Sequence, residues 1–265
     1  FMSYRGRLAP TPTGYLHLGH ARTFWIAQER AQAVGGTLLY RNENLDTARC
    51  KPEYTEAAME DCQWIGLNWK GDIVHQSDRL ELYREAFEQL KQSGYLFPCT
   101  CTRRDLETAV AAPHSEGRET LYPGTCRTQS KPPEENCNWR FRVPDGESIT
   151  FEDAHYGPQQ FVAGHDFGDF PVWQKNGIPS YQLAVVVDDA AQEITEVVRG
   201  ADLLVSTARQ LLLYRALELI APAFYHCDLM LDAKGNRLAK RNKALSLREL
   251  RTNGKTPEEV RKEWI

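Results

Sequence analysis

Two histidines three residues apart, His17 and His20, close the stretch RLAPTPTGYLHLGH, which also carries Pro10, Pro12, Gly14 and Gly19. Imidazoles at that spacing on an opening helical turn share a face and can hydrogen-bond phosphoryl oxygens. Gly14 and Gly19 would let backbone approach a ligand, while the prolines stiffen the loop. A second set of chemistry-bearing groups is sulfur: Cys99 and Cys101 are spaced C-x-C, and Cys126 ends YPGTC. Three thiolates suit a tetrahedral zinc site, and clustered thiols bring a soluble loop little else. Cys50, Cys62 and Cys227 stand alone and read as small buried hydrophobes.

These groups need a frame. YRGRLA reads as a strand, HARTFWIAQERAQAV as a helix stopped by Gly35 and Gly36, and TLLYRN as a second strand. A strand–helix–strand unit implies parallel strands and a right-handed crossover. Ligands of such sheets lie beyond the carboxyl ends of the strands, where the first turn offers free N–H donors and the positive end of a helix dipole. The stretch ending at His20 is therefore a phosphate seat. PEYTEAAMEDCQWIG and DRLELYREAFEQLKQSG read as further helices, the second with a core stripe of Leu80, Tyr83, Phe87 and Leu90 and a stop at Gly94. From Cys99 to about Asp169 the chain turns to Pro, Gly, Cys and short β-like pieces (NWRFRV, SITFED, QQFVA). Helix and strand signals resume in SYQLAVVVDDA, ITEVVRG, STARQLLLYRALELI and YHCDLML. The expected fold is α/β: a doubly wound parallel sheet over 1–98 and 170–265, interrupted by a smaller α+β subdomain over 99–169.

Composition sets the bounds. With 265 residues, 42% hydrophobic and 26% charged, the chain can bury a sizeable core. No apolar run reaches the roughly 18 residues of a membrane span. A net charge of -4 neither invites nor excludes a nucleic-acid partner. The N-terminus shows no basic and apolar leader, so seven cysteines read as reduced thiols or metal ligands in a cytoplasmic protein.

RLAPTPTGYLHLGH resembles the first signature of class I aminoacyl-tRNA synthetases of the glutamate branch. RNENLD (41–46) resembles that branch's second-strand motif, and YQLAVVVDD with ITEVVRG its amino-acid pocket elements. RLAKR (237–241) takes the place of the mobile Lys-Met-Ser-Lys-Ser loop. The likeness runs from Arg7 to the end of the chain, with two departures: Asn44 stands where the family has Asp, and Ala239 where it has Ser. It implies a Rossmann-like catalytic domain that binds ATP with Mg²⁺ and joins L-glutamate to AMP. His17, His20 and Lys240 would be catalytic, with Gly19 beside them at the ATP. Arg7 and Arg199 would clamp carboxylates, Glu43 the α-ammonium, Tyr181 would give a directional hydroxyl contact, and Ala9 and Thr11 would line the glutamate pocket. Singly, Arg7, Glu43 and Arg199 would read as surface ion pairs; together at these positions they read as a pocket.

Ordinary members of the branch continue after the mobile loop into a helical region that reads the anticodon, whereas 25 residues follow Lys240 here. A body with a radius of gyration of about 18 Å cannot grip both ends of a tRNA. The family's short members lack the anticodon module and attach glutamate to queuosine in the anticodon loop of tRNA(Asp). The expected partner is therefore that stem-loop, recognised through an unpaired loop whose splayed base enters the site, by a monomer that does not touch membranes. In the short members a Tyr four residues before the last Cys completes a structural zinc site, a place held here by Tyr122. Cys99, Cys101, Tyr122 and Cys126 are thus the expected ligands, with His114 and Cys137 as alternatives for the fourth. The competing readings are the catalytic part of a conventional synthetase charging tRNA(Glu), and a non-catalytic tRNA-binding paralogue.

Overall fold

The computed structural model describes residues 3–102, 121–128, 137–230 and 246–264. Its contacts gather into two compact units. One comprises 1–78, 193–203 and 222–265; the other comprises 79–192 and 204–221.

In the first unit, β1 (Arg5–Leu8), β2 (Thr37–Asn42) and β3 (Val74–His75) form a parallel sheet in the order β1-β2-β3. Helix α1 (Leu18–Ala33) makes the crossover from β1 to β2, and Gly35 ends the turn at φ 64°, a left-handed conformation that glycine adopts without strain. Helix α2 (Pro52–Trp64) follows β2. β9 (Glu196–Gly200) and β10 (Ala223–Cys227) form a parallel pair. The β9 end is stitched to β1 where Thr195 N–H donates to the Arg5 carbonyl at 2.8 Å. Leu8, Tyr40, Ile65 and Val198 form the core with Leu247, Leu250 and Val260 of the terminal helices α6 (Leu247–Thr252) and α7 (Pro257–Lys262). Glu196 clamps this unit, taking both Arg30 Nε (2.7 Å) and Nη2 (2.6 Å) and the Tyr4 hydroxyl (2.7 Å).

In the second unit, β4 (Leu96–Cys99), β5 (Asn138–Phe141) and β8 (Phe170–Trp173) make an antiparallel sheet in that order. β6 (Ser148–Asp153) and β7 (Gly157–Val162) form a hairpin. Its helices are α3 (Leu80–Gln92), α4 (Tyr181–Ala191) and α5 (Leu204–Ala216). Tyr83, Phe87 and Leu90 bury as the helical spacing requires, but Leu80, at the first position of α3, is 37% exposed, because the helix face reaches the core only one turn later. Phe87 stacks on Trp173 at 4.9 Å and meets Trp139 edge-on at 5.6 Å. Asp188, fully buried, is satisfied by Arg79 Nε at 2.7 Å and the Tyr83 hydroxyl at 2.8 Å. Among the described residues, no helix is long and apolar enough to cross a membrane.

Candidate active site

The loop after β1 turns into α1 through its histidines. His17 is the N-cap and its Nδ1 accepts the Gly19 N–H at 3.1 Å; His20, three residues on, accepts the His17 N–H on its own Nδ1 at 3.3 Å. This is a capping box built from imidazoles, where Ser and Glu are usual. With both Nδ1 atoms accepting, each neutral ring carries its proton on Nε2. The rings lie 3.8 Å apart between centroids. Gly19 makes the fold-back possible, since a Cβ there would stand 3.0 Å from His17 Cε1. The pair thus sits at the positive end of a 16-residue helix, a suitable place for anionic oxygens.

Three charged side chains cluster at the carboxyl ends of strands in the same unit. Arg7 lies one residue before the end of β1, Glu43 one past β2 and Arg199 one before the end of β9; their exposures are 5%, 6% and 5%. Arg7 Nη1 donates to the Val198 carbonyl at 3.3 Å, and Glu43 N–H donates to the Pro10 carbonyl at 3.0 Å, so these strand ends adjoin. Ala9 is half-buried and Thr11 exposed on the same loop. Two residues here are given no role by the motifs. Arg41, fully buried, holds Glu43 Oε1 through Nη2 at 3.0 Å. His226, also fully buried, accepts Arg199 Nε on its Nε2 at 3.2 Å, which orients the guanidinium. A sequence gives no sign that β10 sets His226 opposite Arg199; only the register of the pair does.

Asn44 now has a physical account. Its Nδ2 donates to Ser77 Oγ at 2.9 Å and its Oδ1 accepts Ser77 N–H at 3.0 Å, while Ser77 Oγ donates onward to Asp78 at 3.3 Å. A carboxylate at position 44 would leave that one hydroxyl proton between two acids. The amide satisfies the whole chain.

Beyond His17 lies a cavity of about 490 Å³ lined by Gly14, Tyr15, His17, Ser246, Arg248 and Glu249. His17 and Ser246 form an antiparallel bridge, and Leu247 N–H donates to the Leu16 carbonyl at 2.8 Å. Lys240 and the rest of RLAKR lie outside the described residues, as does His114. Tyr181 belongs to the second unit. It opens α4, capped by Ser180, and is 38% exposed.

The sulfur cluster also belongs to the second unit. Cys99 sits at the end of β4, and the Sγ atoms of Cys99, Cys101 and Cys126 lie within 4.8 Å of one another. Cys101 and Cys126 Sγ are 3.5 Å apart, and Tyr122 Oη is 3.4 Å from Cys99 Sγ and 3.6 Å from Cys101 Sγ. A tetrahedral zinc with Zn–S near 2.3 Å and Zn–O near 2.0 Å requires edges of about 3.8 Å and 3.5 Å, so the donor set fits such an ion. Cys137 is buried and stands outside this group. Burial pushes the Cys101 thiol up to about 11; at Cys126 burial also pushes upward, but hydrogen bonds from Tyr122, Thr100 and Cys101 outweigh it and bring the thiol down to about 7.

A family model described as tRNA synthetases class I (E and Q), catalytic domain, matches residues 3–263. A Glutamyl-Q tRNA(Asp) synthetase of Symbiobacterium thermophilum is 46% identical, covering 96% of this chain and 83% of its own length; that of Nitratidesulfovibrio vulgaris is 44% identical over 94% and 82%. The glutamate--tRNA ligase of Aquifex aeolicus is 38% identical over 95% of this chain but 54% of its own. The crystal structure of a glutamate tRNA ligase from Elizabethkingia meningosepticum in complex with its amino acid superposes with a TM-score of 0.79 at 29% identity, covering 96% of this chain and 54% of that one. The chain thus spans about half the length of those ligases.

Proposed function

Because the chain belongs to the class I tRNA synthetases of the E and Q branch, and to the glutamyl-Q tRNA(Asp) synthetases within it, it is an aminoacyl-tRNA synthetase-like ligase, and we propose that it activates L-glutamate without tRNA and transfers it to queuosine in the anticodon loop of tRNA(Asp). The observation that carries this reading is the set of two arginines and one glutamate buried at adjoining strand ends, beside a helix N-terminus capped by paired histidines. Arg41 and His226 hold Glu43 and Arg199 in place, and glutamate brings the complementary pattern of two carboxylates and one ammonium.

Arg7 and Arg199 hold the carboxylates bidentately, Glu43 holds the α-ammonium, Tyr181 adds a hydroxyl contact, and Ala9 and Thr11 line the pocket. The glutamate α-carboxylate oxygen attacks the α-phosphorus of ATP, a P–O bond forms, and pyrophosphate leaves with the electron pair. Charge accumulating on the phosphoryl oxygens meets the Nε2–H groups of His17 and His20, the backbone at Gly19 and the Lys240 ammonium. Mg²⁺ bound with ATP would supply further charge neutralisation. Cys99, Cys101, Tyr122 and Cys126 would hold a structural zinc, four protein donors leaving no open position for substrate. In this reading residues 1–98 and 170–265 form the Rossmann-like catalytic domain and 99–169 the zinc-bearing insertion, and the protein works as a cytoplasmic monomer.

Glutamate-dependent ATP–pyrophosphate exchange in the absence of RNA, followed by transfer of labelled glutamate to queuosine-containing tRNA(Asp) and to tRNA(Glu), tests the proposal. Exchange without RNA and label on tRNA(Asp) alone is expected. Exchange that requires tRNA(Glu), or label on tRNA(Glu), overturns it in favour of a conventional synthetase catalytic domain.

A further inference from the structure

Arg140, on β5, is a charged side chain only 9% exposed, and its contacts converge on the sulfur cluster. Its Nε donates to Cys99 Sγ at 3.3 Å, its guanidinium carbon lies 4.1 Å from the centre of the Tyr122 ring, and its Nη1 is braced on the Asp169 carbonyl at 3.0 Å. The neighbouring arginines are occupied elsewhere. Arg127 pairs with Asp145 at 2.6 Å, and Arg142 donates to the Arg127 carbonyl at 3.1 Å and lies over Phe97. Cys126 N–H completes the picture by donating to Tyr122 Oη at 2.8 Å.

We propose that Arg140 is the positioning residue of the metal site, fixing Cys99 and the Tyr122 ring in their ligating orientations and offsetting the negative charge of the site. Three thiolates and a phenolate around a divalent ion leave a net charge of minus two, and a guanidinium in direct contact halves it. Outer-shell donors of this kind orient ligands and tune metal affinity. A guanidinium is suited to the place because one planar group donates to sulfur and stacks on an aromatic face at once; an ammonium can do only one of these. The inference rests on the zinc reading given above.

The test uses the full chain loaded with Zn²⁺ or with Co²⁺ as a coloured substitute, as wild type, Arg140→Met and Arg140→Lys. Arg140→Met is expected to bind zinc about 10- to 100-fold more weakly in chelator competition and to shift the Co²⁺ visible bands. Arg140→Lys, which keeps charge without the stack, should recover part of the affinity while retaining an altered spectrum. Folded Arg140→Met with wild-type zinc affinity and an unchanged Co²⁺ spectrum overturns the role. If the Met variant does not fold, a Lys variant indistinguishable from wild type in both readouts overturns it equally. A wild-type chain that binds neither ion sinks the zinc reading itself, and this inference with it.

Discussion

Asp61 on α2 is 1% exposed, and neither its Oδ2 nor the Tyr40 hydroxyl has a hydrogen-bond partner among the described residues. Burial lifts its carboxyl from the ordinary 3.8 to about 6, against the downward pull of Arg248 and Arg251 on α6; Glu60 adds a smaller upward push. An acid whose folded value is raised binds its proton more tightly in the folded state. Its contribution to stability therefore falls as pH rises from about 4 to about 6, and the full penalty persists above that. The shift of about two units corresponds to about 3 kcal/mol at most, and because the effective dielectric even at buried sites is well above that of a dry interior, about 1.5 kcal/mol of it is expected to show. Asp61→Asn removes the ionisation and nearly conserves the shape. Urea unfolding of both proteins between pH 4 and pH 8 should show no difference near pH 4, and a variant more stable by about 1.5 kcal/mol at pH 7.5. Taking the difference between the two curves cancels every other titrating group. A difference independent of pH, or a variant less stable than wild type at pH 7.5, would refute the assignment of a strained buried carboxylate.

Three further outcomes follow from the site. Arg199→Lys cannot donate to His226 and clamp a carboxylate bidentately at once, so KM for glutamate in pyrophosphate exchange should rise by about 10- to 100-fold, equivalent to about 1.5–3 kcal/mol; an unchanged KM would place glutamate elsewhere. Lys240→Ala should slow exchange by about 100-fold or more with little change in glutamate KM, and an unaltered rate would remove the RLAKR segment from the chemistry. Cys126→Ser should abolish zinc retention and cost the second unit at least about 3 kcal/mol, an effect that chelation of the wild type reproduces and the variant no longer shows; equal metal content in the two proteins by elemental analysis would contradict the ligand assignment.

The β1–α1–β2–α2 order was legible because its helices carry local chemical marks: Gly35 ends the turn after α1, and Pro52 opens α2. The C-x-C pair and Cys126 were legible because sulfur is scarce enough for spacing to mean something. His226, Arg140 and Asp61 were not. Each takes its role from a neighbour that strand register or helix packing brings up, and register leaves no trace in local composition. Glu43 was readable as a charge, but its partner Arg41, two residues away in the same strand-end motif, emerges only from the side-chain geometry. The capping by His17 and His20 shows the same limit: helical spacing predicts a shared face, whereas the reciprocal bonds to backbone depend on Gly19 leaving room for a ring.

Both ends of the segment bearing Lys240 are moored to one short piece of chain. Upstream, the Asp228 carbonyl takes a bond from Arg22 Nη1 at 2.9 Å; downstream, Leu247 is bonded to Leu16. Six residue steps separate Lys240 from Ser246, so a fully extended chain carries its Cα no farther than about 20 Å from the strand bridge at His17. In the role proposed for Lys240, its reach to the histidine pair is therefore bounded by chain length rather than by diffusion. That proposed role would let folding meet part of the entropy of bringing the ammonium to a phosphate, before any nucleotide arrives.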